Sequence, residues 1–195
     1  MLFYLYNMIY DLTSSFIYSK TSVDEIIPNI WLGNYRAAID LDFLRKNKIN
    51  FILNCTPNTP LFNEIYTREE LKKLQKIETY RIPVDDSLME KDFILMEKYF
   101  KIIIPLLLRK YTIEKKRILI HCHAGKQRSA IVVAALLKVL LDKQHLKLPE
   151  IPKTNCPKEQ FRNIYNYLLE KRPQVFTYGL RINFEPTYQR FFKIF

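Results

Sequence analysis

"RILIHCHAGKQRSAIVVAALLKVLL", residues 117–141, carries the decision about how this chain folds. Residues 118–120 form an apolar run built like a buried strand, and the run after Ser129 is built like a buried helix. Between them stand two histidines, a cysteine, a lysine and an arginine, grouped around one of only three glycines in 195 residues. A strand that feeds a helix through a polar turn is the unit of an α/β fold.

The rest of the chain repeats that alternation. "NIWLG" reads as a short strand closing on Gly33, and "YRAAIDLDFLRKN" as one helix with Ala38, Leu41 and Leu44 on one face. "FILNCT" reads as a buried strand ended by Pro57 and Pro60. Thr67 and Glu70 stand at the spacing of a capping box that opens the helix "REELKKLQKI"; Ser87 and Glu90 offer a second box in the loop "DDSLME" after the strand "TYRIPV". The apolar helix from Lys91 is expected to bend or break near Pro105. "EQFRNIYNYLLEKR" places Phe161, Ile164, Tyr165, Leu168 and Leu169 at helical spacing. A last short helix near Pro186 carries Tyr188, Phe191, Phe192 and Phe195 as core, and Trp31 is core as well. The pattern predicts an α/β domain over residues 26–195, a central, largely parallel sheet flanked by helices.

Composition narrows the class. Hydrophobic content of 48% and charged content of 26% suit one globular domain with a sizeable core. Cys55, Cys122 and Cys156 are few, odd in number and far apart, which excludes a disulfide framework and points to a reducing, intracellular compartment. Residues 1–25 read as an apolar arm. It lacks the basic start of a signal peptide, and Asn7 and Asp11 interrupt it well short of the roughly 20 apolar residues a membrane span needs. So aromatic an arm must pack on its own domain or exchange with a second copy. A net charge of +11 suggests an anionic partner such as phosphorylated protein, nucleic acid or phosphoinositide, although the basic residues are scattered.

The turn itself fits a nucleophile better than a metal. His121, Cys122 and His123 are adjacent, so they alternate in direction at a strand end and cannot easily grip one ion; His145 lies in a distant loop. Cys122 stands where backbone N–H groups turn inward just before a helix N-terminus, a nest for a phosphate-sized anion. That field favours thiolate over thiol. Gly125 lets the backbone curl, Arg128 presents a planar fork to two phosphate oxygens, Ser129 donates to the sulfur, and His121 fixes the loop.

Written out, His121-Cys122-x5-Arg128-Ser129 resembles the signature loop of the protein tyrosine phosphatase superfamily, and with Ala124 and Gly125 its dual-specificity branch. "NIWLGNYRAA", "FILNCTPNTPLF", the acid-loop pattern I-P-x-x-D in "RIPVDDS" and the basic-proline segment "EKRPQVF" extend that resemblance from about Ile26 to the end. It implies a protein tyrosine phosphatase-like fold and a metal-free, cofactor-free hydrolysis of phosphate monoesters on phosphotyrosine and phosphoserine or phosphothreonine proteins. Cys122 would form a phosphocysteine and Asp86, counted from Ile82 and Pro83, would be the acid. Arg128 and the loop from His123 through Ala124, Gly125, Lys126 and Gln127 would bind the phosphate. Some poxvirus members of the branch exchange an N-terminal helix, and resemblance to them suggests a homodimer through the arm.

Rival readings differ in substrate or in turnover. His123 and Lys126 occupy the loop positions where tensin-like phosphoinositide phosphatases carry lysines, so a phosphoinositide or RNA 5′-phosphatase is one alternative; both side chains pointing outward is the simpler reading. Gln127, where the branch often has a small residue, predicts a bulkier pocket rim. A phosphate-binding pseudophosphatase scaffold is the other alternative, opposed by the intact Cys122, Arg128 and Asp86. Asn54, at a strand end, either braces the signature loop or merely ends its strand. Cys55 reads as a small buried hydrophobe or a redox partner of Cys122, and Cys156 as a bystander.

Overall fold

A computed structural model describes residues 21–72, 74–176 and 183–194. Its five short strands are β1 (Val23–Ile27), β2 (Ile30–Gly33), β3 (Phe51–Asn54), β4 (Glu78–Arg81) and β5 (Ile118–His121). They make one sheet in the order β1-β2-β5-β3-β4. The pairs β2–β5, β5–β3 and β3–β4 are parallel, and only the β1–β2 hairpin is antiparallel. The expected largely parallel sheet is therefore present, with β5 at its centre. Every residue of β5 is buried, as a strand covered on both faces must be.

Alternation along the strands sorts two cores. Trp31, Ile52 and Leu119 face a smaller cluster with Ala38, Leu44, Ile49 and Phe62. These side chains come from α1 (Tyr35–Ile39), α2 (Leu41–Lys46), α3 (Phe62–Ile65) and the segments between; α4 (Arg68–Leu71) follows. Ile30, Leu32, Phe51, Leu53, Ile118 and Ile120 face the main core. That core is roofed by α5 (Glu90–Thr112), α6 (Arg128–Asp142), α7 (Pro157–Lys171) and α8 (Glu185–Phe191). Residues 128–137 of α6 are all buried, so the helix that leaves the signature loop is itself the centre of the larger layer.

Several local expectations change. The helix over "YRAAIDLDFLRKN" is two helices, because Asp40 ends α1 and its carboxylate accepts from Phe43 N at 2.9 Å to begin α2. Leu41 is half-buried, while Ala38 and Leu44 are buried. The Thr67–Glu70 capping box forms, but α4 is a single turn. The second box does not form: Met89 precedes α5, and the Ser87 amide and hydroxyl both bond Asp92, two residues past the expected partner Glu90. α5 runs unbroken through Pro105. Pro105 and Lys101 are exposed, so water can take the carbonyl that proline leaves unbonded, while Ile103, Ile104 and Leu107 hold the helix on the core. β1 lies across the boundary drawn at residue 25, so the sheet begins before it; residues 1–20 of the arm, and Phe195, lie outside the described residues.

β4 is tied to the far end of α5 by charge. The Glu78 carboxylate accepts from Lys110 and, at 2.6 Å, from Lys116. These bonds pull its pKa from 4.5 to about 2. A carboxyl depressed in this way stabilises the fold above its unfolded value and loses that contribution as pH falls through the folded one. Glu78→Gln should therefore flatten the acid limb of the stability curve between pH 4.5 and about 2, read from urea unfolding at a series of pH values.

Candidate active site

β5 ends at His121 and α6 starts at Arg128, leaving six residues to turn the chain. Cys122 opens the turn, 1% exposed. Its sulfur receives two hydrogen bonds, from Gly125 N at 3.2 Å and from Ser129 Oγ at 3.2 Å. The expected bond from Ser129 is thus present, and the Gly125 amide adds a second.

The loop's carbonyls are tied from outside. Tyr35 N donates to His123 O at 3.0 Å, Arg172 Nε to Gly125 O at 3.0 Å, and Phe176 N to Lys126 O at 2.8 Å. The peptide bonds of the described residues are trans. In a trans peptide the C=O and N–H point in opposite directions. Each outside bond therefore turns the following N–H, of Ala124, Lys126 and Gln127, away from the scaffold. With the Gly125 amide on the sulfur and the N-terminus of α6 behind, the turn is an anion nest.

Gly125 makes the curl possible. Its φ is +67°, and a Cβ there would lie 2.6 Å from the carbonyl carbon and oxygen of Gly33, and 2.9 Å from Arg172 Nη2. The loop thus lies directly on the end of β2, closer than any side chain allows.

Arg128 spans the gap to the loop after β4. Its Nη1 donates to Val84 O at 3.0 Å and its Nη2 meets Asp86 Oδ2 at 3.2 Å. Asp86 is half-buried toward this guanidinium whereas Asp85 is exposed. Two anchors hold that loop: Ile82 N donates to Asn54 O at 2.9 Å, and Ser87 N to Asp92 Oδ2 at 3.0 Å. Asp92 is 3% exposed.

The supporting residues behave less as the sequence suggested. His121 lies with Nδ1 3.4 Å from Cys122 O, a long contact, and burial pushes its pKa down to about 4. It is neutral at neutral pH and adds no charge to the site. The Asn54 side chain bonds Thr59 O and the Thr56 hydroxyl, so it shapes its own turn and not the signature loop. Its contribution to the site is the backbone carbonyl that anchors Ile82. Lys126 is buried, against the outward reading, and His123 is half-buried like Ala124. Gln127 is fully buried, so it forms no part of a pocket rim.

Cys55 is a buried thiol whose pKa is raised well above 9.0, by burial first and then by the neighbouring Cys122 charge, so it is no nucleophile near neutrality. Cys156 is exposed ahead of α7, and His145 is exposed in its loop. Among the described residues no three of His, Cys, Asp and Glu cluster to hold a metal ion. No described helix is long and apolar enough to cross a membrane.

Three residues went unread in the sequence. Arg172, fully buried, holds Gly125 O and pairs with Asp24 of β1. Asp92 holds the acid loop. The segment "EKRPQVF" was the only signal for Arg172, and nothing local marks Asp24 or Asp92.

Residues 30–154 match the family model described as "Dual specificity phosphatase, catalytic domain". Human dual specificity protein phosphatase 9 is 32% identical over 124 residues, 64% of this chain but 28% of its own length. The chain therefore spans well under two thirds of that relative. Among solved structures, human DUSP28 superposes with a TM-score of 0.60 at 16% identity, over 88% of this chain and 93% of that one. The Orf virus protein OH1, described as a tyrosine phosphatase with triple substrate specificity, gives 0.57 at 18% identity, over 88% and 87%. At these identities the structures establish likeness of fold.

Gly125→Ala should be among the most damaging single changes. The left-handed φ alone costs a residue with a Cβ about 1–2 kcal/mol, and the collision with the Gly33 backbone adds to it. A lower thermal midpoint together with lost affinity for an oxoanion such as tungstate is expected, by calorimetry.

Proposed function

The chain belongs to the dual specificity phosphatase catalytic-domain family, and from that membership we propose that it hydrolyses phosphate monoesters on phosphotyrosine and phosphoserine or phosphothreonine proteins through a phosphocysteine. The observation that carries this reading is the convergence of three groups on one anion site. They are a buried sulfur with two hydrogen-bond donors, the guanidinium of the first residue of the helix that leaves the same turn, and a carboxylate 3.2 Å from that guanidinium.

The chemistry follows from their positions. A phosphate seated in the nest offers its phosphorus to Cys122 Sγ and two oxygens to the fork of Arg128. As the S–P bond forms and the P–O bond to the leaving group breaks, Asp86 in its acid form gives that oxygen a proton. Water then attacks phosphorus while the Asp86 carboxylate takes its proton. The P–S bond breaks with its electron pair returning to sulfur, and the Ser129 hydroxyl stabilises the departing thiolate. Arg128 and the turned amides carry the equatorial oxygens through both steps. The Arg128–Asp86 contact keeps the phosphate ligand and the acid as neighbours before substrate arrives.

Burial of Lys126 favours protein substrates. The side chain that resembled a phosphoinositide phosphatase loop is 2% exposed and offers little charge to a polyphosphorylated headgroup. Release of phosphate from phosphopeptides, with little from phosphoinositides or 5′-triphosphorylated RNA, is the expected result. A preference for either of the latter would reassign the substrate class.

Cys122→Ser should abolish turnover while retaining phosphopeptide binding, and turnover in this variant would end the mechanism. Arg128→Lys should also be severely impaired, because an ammonium lacks the bidentate fork. Asp86→Asn should lower kcat on alkyl phosphates by about 10²–10⁴, with less effect on aryl phosphates whose leaving oxygen needs less protonation. Asp85→Asn should change kcat modestly, and the reverse order would shift the acid by one residue.

A further inference from the structure

The donor that orients the 125–126 peptide is not part of the sequence motif, and its charge is balanced by a residue distant from the loop in sequence. Arg172 is fully buried just past the end of α7. Its Nε donates to Gly125 O at 3.0 Å and its Nη1 pairs with the Asp24 carboxylate of β1. Thr21 Oγ1 donates to the same carboxylate at 2.9 Å. Four residues beyond Arg172, Phe176 N holds the next carbonyl, Lys126 O, at 2.8 Å.

We propose that Asp24 and Arg172 act as positioning residues for the reaction: the ion pair holds the Gly125 carbonyl outward so that the Lys126 amide stays turned to the phosphate. This rests on the phosphatase reading and deepens it, since neither residue touches the substrate.

The physical case has three parts. Arg172 Nε donates directly to Gly125 O, and the peptide planes on either side of a left-handed glycine are the ones most free to rotate. A flip of the 125–126 plane would replace an inward N–H with an inward carbonyl, which repels an anion. A guanidinium can make both contacts at once because its Nε and Nη1 donors are fixed in one plane, whereas an ammonium on a flexible stem cannot hold the same geometry. Asp24 keeps that guanidinium charged and aimed where burial alone would push its pKa down. The arrangement also links β1, at the sheet edge, to a loop about 100 residues away in sequence, so the link exists only in the folded chain.

Arg172→Lys and Asp24→Asn, made in the full chain, test this. For each, kcat/KM on p-nitrophenyl phosphate and the Kd for tungstate are measured well below the thermal midpoint, with far-UV circular dichroism as a check on folding. A displacement of about 1 Å in a binding group can cost about 10²-fold. Arg172→Lys is therefore expected to weaken tungstate binding and kcat/KM together by about 10–100-fold, with Asp24→Asn following in the same direction by a smaller factor. If Arg172→Lys does not fold, Asp24→Asn carries the test, because the amide keeps an acceptor for the guanidinium. Variants that melt earlier yet keep tungstate affinity and kcat/KM within twofold of wild type would overturn the assignment and leave the phosphatase reading standing. A wild-type protein that neither binds tungstate nor hydrolyses the aryl phosphate would overturn both.

Discussion

The left-handed turn at Gly125, pressed against the carbonyl of Gly33, is the constraint on which the site depends. It allows the chain to reverse between β5 and α6 in six residues. It brings the Gly125 N–H onto the sulfur and leaves the Gly125 carbonyl facing Arg172. Remove that conformation and the amides no longer converge, however intact the side chains of Cys122 and Arg128 remain. The low glycine content sharpens the point: three glycines in the chain, one at the turn and one on the backbone it touches.

Two buried guanidiniums then divide the work of holding this loop. Arg128 ties the signature turn to the loop after β4 through Val84 O and Asp86. Arg172 lies on the scaffold side and ties the turn to β1 through Asp24. Burying a guanidinium is expensive unless it is paired and hydrogen-bonded, and both meet that condition. His121 contributes to the packing and not to the charge, since burial keeps it neutral near pH 7. The positive potential at the turn therefore owes nothing to His121.

The surrounding fold makes these placements rigid. β5 is central and buried, and α6 is buried along its first ten residues, so neither end of the turn can drift. The acid loop is held at Ile82 by Asn54 O and at Ser87 by Asp92. Asn54 thus matters to the site through its backbone, while its side chain organises the 54–59 turn. A side-chain reading of a strand-end asparagine could not have distinguished these.

By itself the sequence determined what depends on neighbours in the chain. Strand, turn and helix were legible around Cys122 because apolar runs of the right length flank a glycine and a cluster of polar residues. The count after Ile82 and Pro83 singled out Asp86, and it is Asp86 that meets the Arg128 guanidinium. The Thr67 cap was legible because a capping box closes within four residues. Tertiary structure decided what depends on distance. The break at Asp40, the survival of α5 through Pro105 and the pairing of Ser87 with Asp92 each reflect packing or a competing hydrogen bond that local propensity does not contain. Burial of Lys126 and Gln127 reversed readings that treated them as surface groups. Tyr35 and Arg172 meet the loop and Asp24 meets Arg172, from three separate segments, with Asp24 and Arg172 148 positions apart. No spacing rule reaches so far, because which backbone carbonyl a buried side chain meets is set by how the sheet and helices stack.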